Sequence, residues 1–456
     1  MLRFNPRTNR LEPEEHMFPL VDPDEPELFR DIFSYTSVPE IPFNYRLVPM
    51  QPPDEMWITD TTFRDGQQAR PPYTPKQIAD LYEMMHHLGG PNGMIRQSEF
   101  FIYSEKDRKA VELCREKGFR YPEITAWIRA RREDFKLVKQ MGFRETGILT
   151  SCSDYHIFLK LKMRRKQALE MYLDIVRAAI EEGILPRCHL EDLTRADFYN
   201  FVIPFVKELM KLSEQSGTPI KIRACDTMGY GVPYPGASLP RSVPGIIYGL
   251  THHAGVPPEW LEWHGHNDFH KVLVNAATAW LYGCAAANGT LLGIGERTGN
   301  PPIEGLVIEY ISLRGTTNRM DTTVITDIAD YYRKELGYEI PPQQPLVGSD
   351  FNVTRAGIHA DGMLKSEEIY NIFDTEKVLK RSAGIGVTDK SGVAGIGAWI
   401  DTYVAAPAGK QVDKKHPGLV KIKDWVDAEY AAGRVTAISN EELLAHTRQH
   451  LPELFE

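Results

Sequence analysis

The sequence is short of cysteine, of basic excess and of long apolar runs, and each shortage removes a class of protein. Its five cysteines, Cys114, Cys152, Cys188, Cys225 and Cys284, are odd in number, widely spaced and contain no C-x-x-C pair. That argues against both a disulfide framework and a structural zinc site. Lys and Arg number 53 against 62 Asp and Glu, a net charge of −9 with no basic block. A phosphate backbone finds little attraction there, so nucleic acid is not an expected partner. No run approaches the roughly 18 apolar residues of a membrane span, and the opening MLRFNPRTNRLEPEEH lacks the apolar centre of a signal peptide. The expectation is a cytoplasmic protein without a membrane partner. There is no low-complexity tract, and no repeat beyond an alternation of strand and helix.

What is present divides into three parts. Residues 1–55 are rich in proline and acidic groups and read as an extended arm that wraps its own or a neighbouring subunit. From 56 to 318 short β-rich pieces alternate with amphipathic stretches: WITDTTF then helix 75–89, QSEFF then 104–117, EITAWI then 133–141, ETGILTS then 164–182, LPRCHLED then 196–215, IKIRACD then 242–254, WLEWHGH then 269–287, GTLLGIG then 303–313. Eight such pairs match the size of a (β/α)8 TIM barrel, an α/β fold, with a doubly wound sheet as the alternative. Residues 319–456 form a C-terminal helical subdomain, with helices at 326–336, 366–371, 375–381 and 440–450 around a glycine-rich stretch, SAGIGVTDKSGVAGIGAWI.

Two motifs carry the chemistry. Asp60-Thr61-Thr62-Phe63-Arg64-Asp65-Gly66-Gln67-Gln68 closes strand 1 and sets a cation, Arg64, beside a carboxylate, Asp65. His264-Gly265-His266-Asn267-Asp268 closes strand 7 and sets two imidazoles at i and i+2, one face of a strand. Asp65, His264 and His266 suit Mg, Mn, Co or Zn with positions left open for substrate. A pairing of His266 with His270 is weaker, because Asn267-Asp268 reads as a turn and helix cap. Strands 1 and 7 both flank strand 8 in a closed barrel, so closure would unite the two motifs, and barrel enzymes carry their chemistry at strand ends.

Further candidates have ordinary readings too. Thr227 in DTMG could hold a substrate carboxylate or merely enter a helix, and Glu191-Asp192 could do acid-base work or cap one. GIGERTGN superficially resembles a dinucleotide loop, but Pro301-Pro302 interrupts the helix that loop requires, so a close turn with Asn300 aimed inward fits better. His359 in RAGIHADG, alone, is a loop histidine outside the barrel.

Together DTTFRDGQQ, SDYHIFLKLK (153–162), HGHND, GERxGN and RAGIHADG, in that order across 56–375, resemble the metal-dependent Claisen-condensing synthases. These make isopropylmalate, homocitrate, citramalate and, by Re-citrate synthases, citrate. The opening motif and long arm look most like the last group. The resemblance implies Asp65, His264 and His266 as metal ligands with Asn300 close by, and Mn, Mg or Co (Zn also possible) as the ion. It implies Arg64 binding and polarising a 2-keto acid and Thr227 holding its carboxylate. Glu191 and His359 would transfer protons at the methyl group of acetyl-CoA, with Tyr370 supporting His359, which in this family typically comes from a partner subunit of a homodimer with exchanged subdomains.

Two positions depart from the family pattern. Thr354 replaces the first histidine of H-x-A-G-I-H, and Gln97 stands where strand 2 often carries glutamate, near the variable end of the acceptor. The strand 2 departure argues against carrying over isopropylmalate specificity, and the resemblance to Re-citrate synthases implies oxaloacetate as the acceptor, with 2-oxoglutarate or 2-ketoisovalerate as alternatives, and Arg129 after strand 3 or Arg96 beside strand 2 as candidates for its second carboxylate. An aldol-type acyl-CoA lyase and a non-catalytic metal-binding protein are more remote readings. Leucine feedback is not expected, since the domain that carries it in isopropylmalate synthases would begin where this chain nearly ends.

Overall fold

The computed structural model describes residues 2–5, 10–13, 18–355, 357–413 and 415–456. The chain divides into two compact units, Met1–Asp321 and Thr322–Glu456. Of the proposed arm, residues 1, 6–9 and 14–17 lie outside the described residues.

In the first unit eight parallel strands close into a barrel: β1 Trp57–Asp60, β2 Ile95–Phe100, β3 Glu123–Ile128, β4 Glu145–Ser151, β5 Leu185–Glu191, β6 Lys221–Asp226, β7 Leu261–Gly265 and β8 Ala286–Gly289. β8 closes the ring by pairing with β1, Ala286 opposite Trp57 and Gly289 opposite Asp60, and with β7 at Glu262 and Trp263. The intervening helices are α1 Pro75–Gly89, α2 Glu105–Glu116, α3 Phe135–Gln140, α4 Arg165–Glu181, α5 Ile203–Ser216, α6 Val243–Tyr248, α7 Val272–Leu281 and α8 Ile303–Arg314. α1 shows why they start where they do. Thr74 and Gln77 form a capping box and Pro75 fills the first position, where no N–H is needed, while Ile78, Leu81, Tyr82, Met85 and Leu88 bury one face.

The last barrel unit differs from the sequence reading. Helix 269–287 ends at Leu281, and strand 8 is Ala286–Gly289, which ends on the first residue of GTLLGIG, whose Leu291–Gly293 is a 3-10 turn. Alanine favours helix, but Gly283 (φ 115°) breaks it, and β8 gains ladder bonds to β1, with Trp57 donating to the Ala285 carbonyl and Thr61 to that of Gly289. The helices expected at 196–215 and 242–254 carry π-helical turns, Phe198–Val202 before α5 and Gly249–His253 after α6.

The arm from Phe18 onward lies along its own barrel. Glu27 donates its N–H to Asp154 (2.7 Å), the Tyr155 hydroxyl donates to the Leu28 carbonyl (2.8 Å), and Arg241 donates to the carbonyl of Glu40 (2.8 Å).

The second unit contains α9 Val324–Lys334, α10 Gly357–Lys365, α11 Thr375–Leu379, α12 Val393–Ile400, α13 Pro417–Ala431 and α14 Asn440–His450, with a two-residue parallel pair, Val353–Thr354 and Gly384–Ile385. Its core gathers Ile396, Trp399, Leu419, Ile422, Val426 and Leu443. Three helices were not expected: residues 357–362 of RAGIHADG belong to α10, the glycine-rich stretch holds α12, and α13 fills 417–431. The segment expected as helix 366–371 is a 3-10 turn, Glu367–Ile369. Among the described residues no helix is long and apolar enough to cross a membrane.

Candidate active site

TIM barrels usually fill their interior with branched aliphatic layers. Here alternate strand residues place ionised groups there. Arg187 on β5 meets Glu99 (2.7 Å) and Glu145 (2.9 Å), and Arg223 on β6 meets Glu99 (2.8 Å) and Glu262 (2.6 Å). Lys221 pairs with Glu145 at 2.6 Å, and Gln97 bridges Glu145 and Arg187. Burial alone would raise these carboxyls, but the cations outweigh it: Glu262 is held at about 2, chiefly by Arg223, and Glu99 falls well below the usual range through Arg223, Arg64 and Arg187. His189, buried against the two arginines, is pushed down to about 3 and stays neutral. Gly147 on β4 makes the room, since a Cβ there would lie 2.5 Å from His189 Nε2 and 2.9 Å from Glu99 Oε2.

Glu99 links this deep layer to the mouth. Its Oε1 accepts from Arg64 Nε at 3.0 Å, while Arg64 Nη1 donates to Asp65 Oδ1 at 3.1 Å. Asp65, in the loop after β1, meets His266 Nε2 at 3.1 Å and His264 Nε2 at 3.7 Å. These three groups offer ligand atoms within 4.8 Å of one another, all buried, and could hold a metal ion. His264 lies in β7, whereas His266 follows the strand's last residue, Gly265, yet it keeps the same facing. Burial opposes ionisation of Asp65, but the Arg64 charge and the hydrogen bond with His266 hold its carboxyl far below the ordinary range. His264 is pushed down to about 3 by burial, then by His266 and the arginines, so it presents the neutral form that metal coordination needs.

The surroundings fit an ion. His264 Nδ1 meets Asn288 Oδ1 at 2.7 Å, a contact that fixes the tautomer with the Nε2 lone pair toward Asp65. Asn288 is in turn held by Thr59 at 2.9 Å. Asn300 is buried, and its Nδ2 donates to the Gly265 carbonyl (3.0 Å) between the two histidines. Its Oδ1 and His266 Nδ1 are buried without partners. Gly295 admits Asn300, because a Cβ there would lie 1.8 Å from Asn300 Oδ1. An oxygen left unsatisfied beside a carboxylate and two imidazoles matches hard-cation chemistry.

The other expected residues separate into groups. Glu191, at the end of β5, is held at about 2: burial would raise it, but hydrogen bonds from His156 and Ser151 and the charge of Lys160 outweigh that. His156 Nδ1 lies 3.2 Å and Lys160 Nζ 3.4 Å from it. The Thr227 hydroxyl accepts from the Asp192 N–H (2.8 Å), which leaves its own proton free to donate. His359 and Tyr370 pack together in the second unit with ring centroids 4.4 Å apart.

Arg129 does not turn into the barrel. Its guanidinium makes two 3.0 Å bonds to Asp134 in its own loop and is half exposed. Arg96 lies out of phase with Gln97 and Glu99, against the Trp57 and Tyr121 rings. Gln97 sits in the deep layer beneath Glu99, so the strand 2 side chain that reaches Arg64 is Glu99. Sequence reasoning also passed over Trp127, Asn288 and Arg297. Arg297 donates to Asp268 (2.9 Å) and to the Thr227 carbonyl, tying the three strand-end loops together. The SDYH motif was the available signal for His156.

Fold and site together define a TIM-barrel protein whose strand ends carry a buried Asp-His-His centre with an arginine bonded to its aspartate. The chain belongs to the HMGL-like family, whose model matches residues 55–331. It is 62% identical to the citrate (Re)-synthase of Syntrophus aciditrophicus over 100% of this chain and 73% of that protein. It is 55% identical to the citrate (Re)-synthase of Clostridium kluyveri over 95% of this chain and 96% of that one. Among solved structures, the HMG-CoA lyase of Bacillus subtilis matches 64% of this chain and 97% of its own with a TM-score of 0.51 at 18% identity, a likeness of fold alone.

Proposed function

We propose that this chain is an acyltransferase that condenses acetyl-CoA with oxaloacetate to give citrate and CoA. The observation that carries the reading is the Asp65-His264-His266 centre hydrogen-bonded to Arg64, in a chain akin along its whole length to Re-citrate synthases. A divalent ion, Mn, Mg or Co, fits this donor set, with Asn300 beside it; bound there, it would polarise the keto group of the acceptor. Arg64 orients that keto acid and Thr227 donates to its carboxylate. The interior cations Arg64, Arg187, Arg223 and Lys221 are already matched by Asp65, Glu99, Glu145 and Glu262. A dianionic acceptor therefore needs the ion's charge.

Glu191, kept ionised by His156 and Lys160, and His359, supported by Tyr370, move protons at the acetyl methyl carbon. The enolate carbon attacks the keto carbon, and water releases CoA, which makes the condensation effectively irreversible. We assign His359 to the barrel of a second copy in a cytoplasmic homodimer. The arm's exposed Tyr35, Val38 and Leu47 supply apolar surface for that copy to cover.

Metal-dependent CoA release from acetyl-CoA, tested against a panel of 2-keto acids with a chelator control, decides the reading. Release with oxaloacetate and its loss with chelator are expected. No release with any acceptor sinks the synthase reading, and release confined to 2-ketoisovalerate or 2-oxoglutarate sinks the citrate one.

A further inference from the structure

Strand β3 reaches the site through Trp127 rather than through Arg129. Thr125 faces the barrel interior, where its hydroxyl accepts from Arg187 at 3.2 Å. Trp127, two residues on, therefore shares that face one layer nearer the mouth. Its ring lies against Arg64, whose guanidinium carbon is 5.5 Å from the ring centroid, and Phe101 meets it edge-on at 5.6 Å. The ring is partly exposed, yet its Nε1 is buried and without a hydrogen-bond partner. An indole N–H can only donate, and buried ones nearly always find an acceptor.

We propose that Trp127 donates its indole N–H to the second carboxylate of the acceptor and so selects a four-carbon dicarboxylate. This rests on the citrate-forming reading above. Arg64 orients the keto acid, so a group packed on Arg64 borders the bound acceptor. Arg64, Arg187, Arg223 and Lys221 are matched by carboxylates, Arg129 is held by Asp134 and Arg96 lies against Trp57 and Tyr121, so the Trp127 N–H beside Arg64 is a neutral donor placed to meet the far carboxylate. Pyruvate has no group to offer it. 2-Oxoglutarate carries its far carboxylate one methylene further, into the space the indole fills over Arg64.

Trp127→Phe keeps an aromatic ring beside Arg64 while removing the N–H together with one ring of the indole. In the metal-loaded enzyme, KM for oxaloacetate is expected to rise about 10- to 100-fold, the range for a hydrogen bond to a charged group. The calorimetric Kd for L-malate, a four-carbon dicarboxylate that cannot react, should rise by a similar factor. KM for acetyl-CoA and metal affinity should stay as in the wild type, and the preference for oxaloacetate over pyruvate should shrink. Trp127→Ala should add a further loss from the missing ring. If Trp127→Phe keeps the wild-type KM for oxaloacetate and Kd for malate, the indole is only a packing surface and the proposal falls. Wild-type enzyme that releases no CoA with oxaloacetate instead overturns the reading beneath it, and this proposal with it.

Discussion

Two layers of the same barrel, one turn of side chains apart, treat polar groups in opposite ways. In the deep layer Glu99, Glu145 and Glu262 are each paired with arginine or lysine. At the mouth, Asn300 Oδ1, His266 Nδ1 and Trp127 Nε1 are buried with no partner. A buried charge costs least when every lone pair is met, so the deep layer is a framework. Groups left unmet at the strand ends are free to meet a ligand. Glu99 belongs to both, since it grips Arg187 and Arg223 below and Arg64 above.

Substitutions should separate the layers. Asp65→Ala should lower metal-dependent CoA release by about a thousandfold, the scale of losing a metal-assisted polarisation, while its urea unfolding curve stays near wild type. Wild-type turnover would remove Asp65 from the site. Glu99→Gln should behave in the reverse sense in urea, losing about 3–5 kcal/mol because it removes the buried negative charge that Arg64, Arg187 and Arg223 share and leaves the deep layer with an excess of buried positive charge. An unchanged midpoint would deny the framework role.

Acid should act first through the buried histidines, His189 in the deep layer and His264 at the mouth. The folded His189 titrates near 3 against an ordinary 6.5, so its contribution is present above pH 6.5 and is lost as pH falls toward 3. Glu262 titrates near 2 against 4.5, so its share is present above 4.5 and disappears toward 2. Stability should therefore decline from about pH 6.5 downward and more steeply below 4.5, and His189→Gln should flatten the upper part of that decline in urea midpoints taken at successive pH values. The smallest effect is expected at Arg129→Ala, where KM for the acceptor and the unfolding midpoint should match the wild type. A raised acceptor KM would bring Arg129 back into the site.

Much of this was legible in the sequence because it is local. Helices Pro75–Gly89 and Asn440–His450 coincide with their expected limits, as caps and periodicity dictate. β8 was missed because AAANG has helical propensity and becomes a strand only by pairing with β1. Misplacing it also hid Asn288, whose facing depends on that register. Arg129 looked available because a strand-end arginine usually is, and only the fold shows Asp134 five residues on engaging its Nε and Nη2.

By itself the sequence determined the alternation of strand and helix, the residues of the Asp65, His264 and His266 centre, and the family to which they point. All of these reside in short-range pattern and spacing. The tertiary structure decided which side chains face one another across a closed ring: that Glu99 rather than Gln97 grips Arg64, that Asn288 sets the tautomer of His264, and that Trp127 leaves a donor unmet at the mouth. Such pairings join residues far apart in the chain. They follow from barrel closure and strand register, which no local stretch encodes.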